Sequence, residues 1–430
     1  MRRNFVLELS KAPFVRNVVL MATGTAAAQV VTMVFSPFIT RLYGPEVFGV
    51  LGVFMAIVGV VAPIAALNYP IAIVLPKSDR DAKGLIYISI LVSLIIVVLT
   101  SIIIIVFDSL IVKIFRIQAI EPFLYLIPVV ILSSALFQVV QQWLIRTKQY
   151  RVIAKFAFLH AIILNASKVG IGLLNPVATV LIIISALANA LHALMLYAGS
   201  PRTNGGNLLE KYKVTTLKLL GKKYIDFPLY RAPQVFINSI SQSIPILLLS
   251  SFFGPASVGF YSIARTVLQI PTGLIGKSLS DVLYPRIAEK ANKGESFTNL
   301  LVKGTLALVA LGIFPFGIVV VFGPWLFGFV FGDEWVLAGE YARWMALWMF
   351  FLFINRPSVS AIPVLNMQSS YLIYEVISIL FNILALIIGV YFFENDIIAI
   401  LLYSVSGSIT YIYLIIWVIQ SSKQFRSTRV

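Results

Sequence analysis

Along this chain apolar residues recur in runs of about 20, long enough for an α-helix to cross the hydrocarbon core of a bilayer. Short polar or Gly/Pro-bearing segments part the runs. The pattern predicts twelve spanning helices, at 15–40, 47–70, 84–107, 122–145, 152–174, 176–198, 227–252, 256–282, 299–322, 335–355, 367–393 and 397–420. Two runs are impure: the second holds Pro63 and Pro70, and the tenth holds Arg343. The expected fold is an all-α polytopic membrane protein.

The runs fall into two halves. Tyr43-Gly44-Pro45-Glu46-Val47-Phe48-Gly49 returns half a chain later as Phe253-Gly254-Pro255-Ala256-Ser257-Val258-Gly259. Leu75-Pro76-Lys77 is answered by Tyr284-Pro285-Arg286, and Lys83-Gly84 by Lys293-Gly294. A repeat of this length is no solenoid unit. In an apolar chain it marks two homologous helix bundles with a site between them, the plan of many transporters. The longest connection, 199–225, carries Ser200-Pro201, Asn204-Gly205-Gly206-Asn207 and a basic stretch suited to a membrane surface. It separates an expected N-terminal six-helix lobe, 1–198, from a C-terminal one, 226–430. Six helices bring the chain back to the side it started from, so the repeat is parallel. In each motif glycine permits the outer turn and proline starts the next helix.

Composition sharpens this picture. The chain is 60% hydrophobic and 12% charged, whereas soluble domains are about 45–50% apolar. With no cysteine, disulfides and cysteine-ligated metal sites are excluded. The basic stretch 1–16 enters the first span without a small-residue cleavage site, so a retained helix is expected rather than a signal peptide. The net charge of +16 follows from where the cations sit and implies no nucleic-acid partner. On the twelve-span map most of the 33 basic residues share one side, and only Arg41, Lys113 and Arg116 lie on the other. That asymmetry places both termini in the cytoplasm of a multi-pass protein of the cell (inner) membrane, and it accounts for charge facing anionic lipids. Five cations remain inside spans: Lys168, Arg231, Arg265, Lys277 and Arg343.

An ionisable group at mid-bilayer costs at least about 2.5–3.5 kcal/mol, so it faces protein or water. Arg231, Gln234, Asn238 and Ser241 share one helical face, as do Ser262, Arg265, Gln269, Thr272 and Gly276. The eleventh span carries Tyr371, Glu375, Ser378 and Asn382. Smaller stripes are Thr25, Gln29, Thr32 and Ser36; Asn165 and Lys168; and Ser185, Asn189 and His192. Such stripes either line a hydrated cavity or join helices through hydrogen bonds. The Ser/Thr positions fit the joining role, and Arg231 and Arg265 fit a central cationic cavity. Lys277 suits snorkelling at a helix end, Lys168 suits either place, and Arg343 has Glu340 three residues back as a partner. Glu375 suits structural pairing or proton coupling, and His160 and His192 suit packed, hydrogen-bonded positions. Embedded cations outnumber embedded acids, which points to an anionic ligand, because a guanidinium binds phosphate bidentately.

Phe38-Ile39-Thr40-Arg41-Leu42-Tyr43-Gly44-Pro45-Glu46-Val47-Phe48-Gly49, Gly254-Pro255-Ala256-Ser257-Val258-Gly259-Phe260-Tyr261-Ser262-Ile263-Ala264 and Leu283-Tyr284-Pro285-Arg286 carry a resemblance. Across nearly its whole length the chain resembles the polysaccharide (O-antigen, Wzx-type) flippases of the multidrug/oligosaccharidyl-lipid/polysaccharide exporter superfamily. The resemblance implies two lobes around a cavity, and alternating access that moves a polyprenyl-pyrophosphate-linked oligosaccharide to the outer leaflet. It implies no catalytic residue and no cofactor, with proton or sodium coupling as the drive. Membrane lipids and polysaccharide-assembly enzymes are the partners it suggests. The substrate-binding residues expected on this basis are Arg231, Arg265, Gln234, Asn238, Gln269, Lys168, Arg343 and Asn382, with Glu375 as the coupling candidate. Related lipid II flippases carry cavity arginines in their first two helices. The interiors of the first two spans here have none, which argues against a peptidoglycan precursor. The rival readings are a cation-coupled multidrug exporter of the same superfamily and a membrane polysaccharide polymerase or ligase. The polymerase reading sits poorly with an outer loop, 108–121, that is short and lacks histidine.

Overall fold

The computed structural model describes residues 13–115, 118–200, 213–273 and 277–425, and these are helical with no strand among them. The helices used below are α1 Pro13–Val61, α2 Asp79–Phe115, α3 Ile127–Arg146, α4 Tyr150–Gly172, α5 Ala178–Gly199, α6 Val214–Lys223 and α7 Ala232–Phe253. They continue with α8 Pro255–Pro271, α9 Lys277–Asn292, α10 Thr298–Phe331, α11 Val336–Ile354, α12 Gln368–Phe392 and α13 Asp396–Gln424. Among the described residues, ten helical runs are long and apolar enough to cross a membrane. Large side chains stand bare along them, such as Ile105 at 66% and Phe314 at 73% exposure. Burying one such side chain is worth about 1.5–3 kcal/mol, so rows of them in the open mark a lipid-facing surface.

Several helix ends differ from the sequence pattern, each for a local reason. The first two expected spans form one run, α1, broken only where Gly44 takes φ 70° and ψ 170°. The second stops at Val61 because Pro63 cannot continue the hydrogen-bond ladder. A 3-10 turn, Ala62–Ile64, follows. Beyond it Leu67 and Asn68 are left-handed, before the short helix Tyr69–Ala72. The third is longer than expected, and α2 extends through Phe115 into the stretch read as an outer loop. The expected eighth corresponds to α8, 17 residues long, with the separate, more polar α9 starting at Lys277. Arg2, Arg3, Lys11, Arg116 and the linker's Asn204-Gly205-Gly206-Asn207 lie outside the described residues.

The chain forms two compact units, residues 1–43 with 50–251, and residues 44–49 with 252–430. These units do not follow the halves of the repeat, because each takes in a piece of the other half. In the first unit, Ser243 of α7 donates to the Ala56 carbonyl at 3.0 Å and ties α7 to α1. Its core gathers Tyr69, Ile73, Leu85, Ile86, Trp143 and Leu220. Arg146 pins the turn before α2, donating to Asp79 at 2.8 Å and to the Pro76 carbonyl at 2.7 Å.

The second unit holds both Gly-Pro motifs. Gly254 has φ 85° and ψ 179°, matching Gly44, and this backbone region is essentially open to glycine alone. The closing glycines of the motifs meet reciprocally. A Cβ on Gly49 would collide with the Pro255 carbonyl, and one on Gly259 with the Pro45 carbonyl. Nearby, the ring of Trp335 stands edge-on to Phe48 and to Phe260. The Asp396 carboxylate at the start of α13 accepts from Tyr341 of α11 and, at 3.1 Å, from Ser257 of α8.

Candidate substrate-binding residues

In the first unit, Arg231 closes a five-residue π turn, Phe227–Arg231, that feeds α7. Pro233 brings this about. It has no N–H for the Leu229 carbonyl, and its ring crowds that oxygen, so the chain takes a wider turn. Arg231, Gln234 and Asn238 are all exposed on one face of a spanning helix that also carries Ser239, Ser241, Gln242 and Ser243. Arg231 donates to Gln234 Oε1 at 2.9 Å, and no carboxylate among the described residues pairs with it. The rest of its guanidinium is exposed. Ser241 spends its hydroxyl on the Ile237 carbonyl.

Lys168 lies near the end of α4, half-buried. Its carbonyl accepts from the Tyr43 hydroxyl at 2.8 Å. Asn165, one turn earlier, is buried and joins helices, donating to Thr32 at 3.2 Å and to the Ala161 carbonyl. Asn189 donates to Ser134 at 2.8 Å. His160 and His192 are stacked at 4.4 Å, with the Phe137 ring 4.6 Å from His192. His160 is packed and bonded to the Ala188 carbonyl at 3.0 Å, as expected, whereas His192 is packed with its Nε2 buried and unpartnered.

In the second unit, Arg265 is half-buried one turn after the fully buried Tyr261, which is its hydrogen-bond partner, and Gln269 is exposed further along α8. Thr272 is buried and bonded to the Gln269 carbonyl. Gly276 and the side chain of Lys277 lie outside the described residues. Arg343 is committed elsewhere. It reaches both oxygens of Glu340 at 3.1 Å, and donates to the Val320 and Val321 carbonyls of α10 at 2.9 and 3.5 Å. Asn382 accepts from Ser406 at 2.6 Å, and Tyr374 donates to the Thr410 carbonyl, so this face of α12 is mainly a seam with α13. Glu375 is half-buried on the same face.

One cation escaped the sequence pattern. Arg356 sits before Pro357 and reads as a residue of a cytoplasmic turn. The structure half-buries it at the start of the short helix Arg356–Ala361, with its Nε enclosed and unpartnered. Tyr371 of α12 and Tyr411 of α13 lie within its electrostatic reach. The Arg-Pro pair was the only available signal, since proline just inside a helix start is common.

Apolar spanning helices that carry a few exposed guanidinium and amide groups define a multi-pass membrane protein. Solved structures agree on the fold. The chain superposes on "Lipid II flippase MurJ, inward closed conformation" with TM-score 0.74 at 14% identity, over 94% of this chain and 89% of that one. A multidrug resistance MATE family transporter of the MOP superfamily, inward-facing, gives 0.70 at 14% identity over 92% and 96%. A MOP superfamily transporter from Pyrococcus furiosus, described as having a binding pocket of reverse polarity, gives 0.58 at 14% over 95% and 96%. No curated protein matches in sequence. Residues 38–340 match the model of the polysaccharide biosynthesis protein family, and the chain belongs to that family.

Proposed function

We propose that this transporter is a flippase that carries a polyprenyl-pyrophosphate-linked oligosaccharide from the cytoplasmic to the outer leaflet of the cell membrane, for a surface polysaccharide such as O-antigen. The observation that carries the reading is the exposed Arg231–Gln234–Asn238 stripe on a spanning helix, in a chain of a polysaccharide biosynthesis family. A carboxylate-free guanidinium suits a pyrophosphate, and side-chain amides suit sugar hydroxyls. In this reading Arg231 and Arg265 hold the pyrophosphate, with Lys168 at its edge, and Gln234, Asn238 and Gln269 face the glycan, while Asn382 is taken up by Ser406 in the seam with α13. Arg343 contributes less, since its donors are already engaged. Twelve spans in two six-helix lobes, both termini cytoplasmic, carry out alternating access, with Glu375 as the candidate for proton or sodium coupling. The lipid tail stays in the bilayer, and assembly enzymes receive the product.

The test is complementation of a flippase-null strain by wild type, Arg231→Ala, Arg265→Ala and Lys277→Ala at matched membrane levels. Surface glycan lost in both arginine variants, and kept in Lys277→Ala, supports the reading. Normal export by all three overturns the role of the arginines. Binding of organic cations, but not polyprenyl pyrophosphate, by the purified protein would favour a drug exporter instead.

A further inference from the structure

Helix α6 has two faces, and the site reading uses neither. Leu217 and Leu220, with Tyr224 beyond its end, pack into the cluster of Tyr69, Ile86 and Trp143. The Tyr69 hydroxyl donates to the Gly221 carbonyl at 3.2 Å. The opposite arc is open: Val214 is 78% and Leu219 71% exposed. Lys218 and Lys222 follow Val214 at intervals of four, and Lys223 follows Leu219 at the same interval, all exposed. With Lys213 at the N-cap, residues 213–225 hold four cations and no acid. Helix α6 therefore presents apolar side chains interleaved with flexible cations beside spanning helices, the arrangement that seats on anionic headgroups.

Its position adds a consequence. Three residues after α6 the chain enters the π turn that ends in Arg231. Phe227, the first residue of that turn, packs on the same cluster as Leu217 and Leu220. A shift of α6 is therefore passed to the π turn through a shared core and a three-residue tether.

We propose that α6 is a docking surface for the headgroups of anionic phospholipids, and that their binding sets the position of the π turn bearing Arg231. Lys218, Lys222 and Lys223 supply the charge, each adding about fivefold to the attraction. Val214 and Leu219 seat in the interface. The inference needs a bilayer around the protein but no particular cargo, so it stands apart from the fate of the glycan reading.

The absence of cysteine makes the test direct. The full chain carrying Leu229→Cys is placed in nanodiscs of phosphatidylcholine alone or with phosphatidylglycerol, and its rate of thiol labelling is read. Leu229 lies in the π turn and is 56% exposed. The same is done with Lys218, Lys222 and Lys223 all changed to Gln, and with Lys148, Arg151 and Lys155 all changed to Gln as a control elsewhere on the first unit. Retention of phosphatidylglycerol by the purified protein in detergent is measured in parallel. The expected result is a labelling rate that changes at least threefold with phosphatidylglycerol in the parent and the control. The α6 variant loses that response and most of the retained lipid. Equal labelling in both lipids overturns the link to the π turn. Equal loss in the control variant, or the same response to inorganic phosphate in phosphatidylcholine discs, overturns headgroup docking at α6.

Discussion

Arg231 and Arg343 are both guanidiniums set in apolar helices, and they differ in what already holds them. Arg343 of the second unit is bound to Glu340 and to two carbonyls of the neighbouring helix. Arg231 of the first unit leans on one neutral amide and is otherwise exposed. A cation in a spanning helix is thus not a site by virtue of its charge. It becomes one when donors are left over after the protein has used what it needs.

The comparison is most open to attack at Arg231. Arg231→Ala should cut flipping in reconstituted liposomes by about tenfold or more, the scale of losing a charged hydrogen bond, with thermal stability unchanged. A fall in melting temperature without a fall in transport would place Arg231 among the structural arginines. Arg343→Ala should do the reverse. It strands Glu340 and should cost about 1–2 kcal/mol, less than a fully buried pair because both side chains are about 30% exposed. Adding Glu340→Gln should recover part of that loss in denaturant titrations. No recovery would mean that the carbonyl contacts, and not the ion pair, hold Arg343.

Smaller effects refine the boundary between site and seam. Asn382→Ala, which abandons Ser406, should cost about 1 kcal/mol and leave transport rates intact. A rate loss larger than the stability loss would return Asn382 to the glycan path. The weakest expectation concerns α9 and its end. Lys293 beside Glu289, and Lys290 beside Glu295, hold those carboxyls below the usual carboxylate range, while Glu289 pushes Lys293 up. The carboxylate contribution is complete at neutral pH and fades as pH falls through the carboxylate range. The Lys293 part fades only as pH rises through the lysine range. All three groups are exposed, so Lys293→Met should leave the neutral-pH melting temperature unchanged. A clear shift there would reveal a partner for this helix.

Much of the fold was legible because hydrocarbon imposes a length on apolar runs. Helices α3 to α5, α7, α11 and α12 lie close to where those runs predict. The Gly-Pro motifs also announced their turns. What composition hides is partnership. Periodicity grouped Tyr371, Glu375, Ser378 and Asn382 on one face of α12, but only packing shows that Asn382, with the neighbouring Tyr374, bonds across to α13. The same limit hid the carbonyls that satisfy Arg343, and the half-burial of Arg356, whose position beside a proline looked like a loop. Contacts also draw the two compact units differently from the repeat, because a repeat records ancestry and packing records neighbours.

The reciprocal meeting of Gly49 with Pro255 and Gly259 with Pro45 has a bearing on origins. Each motif supplies both the bump and the hollow, as in an isologous contact, where one surface meets its own copy. A polypeptide of half this length would already present a face able to pair with a second molecule of itself. Fusing two such genes would require no new interface, only a tether. Afterwards neither copy of the motif could drift alone, since a side chain gained at either closing glycine would be felt by the other half.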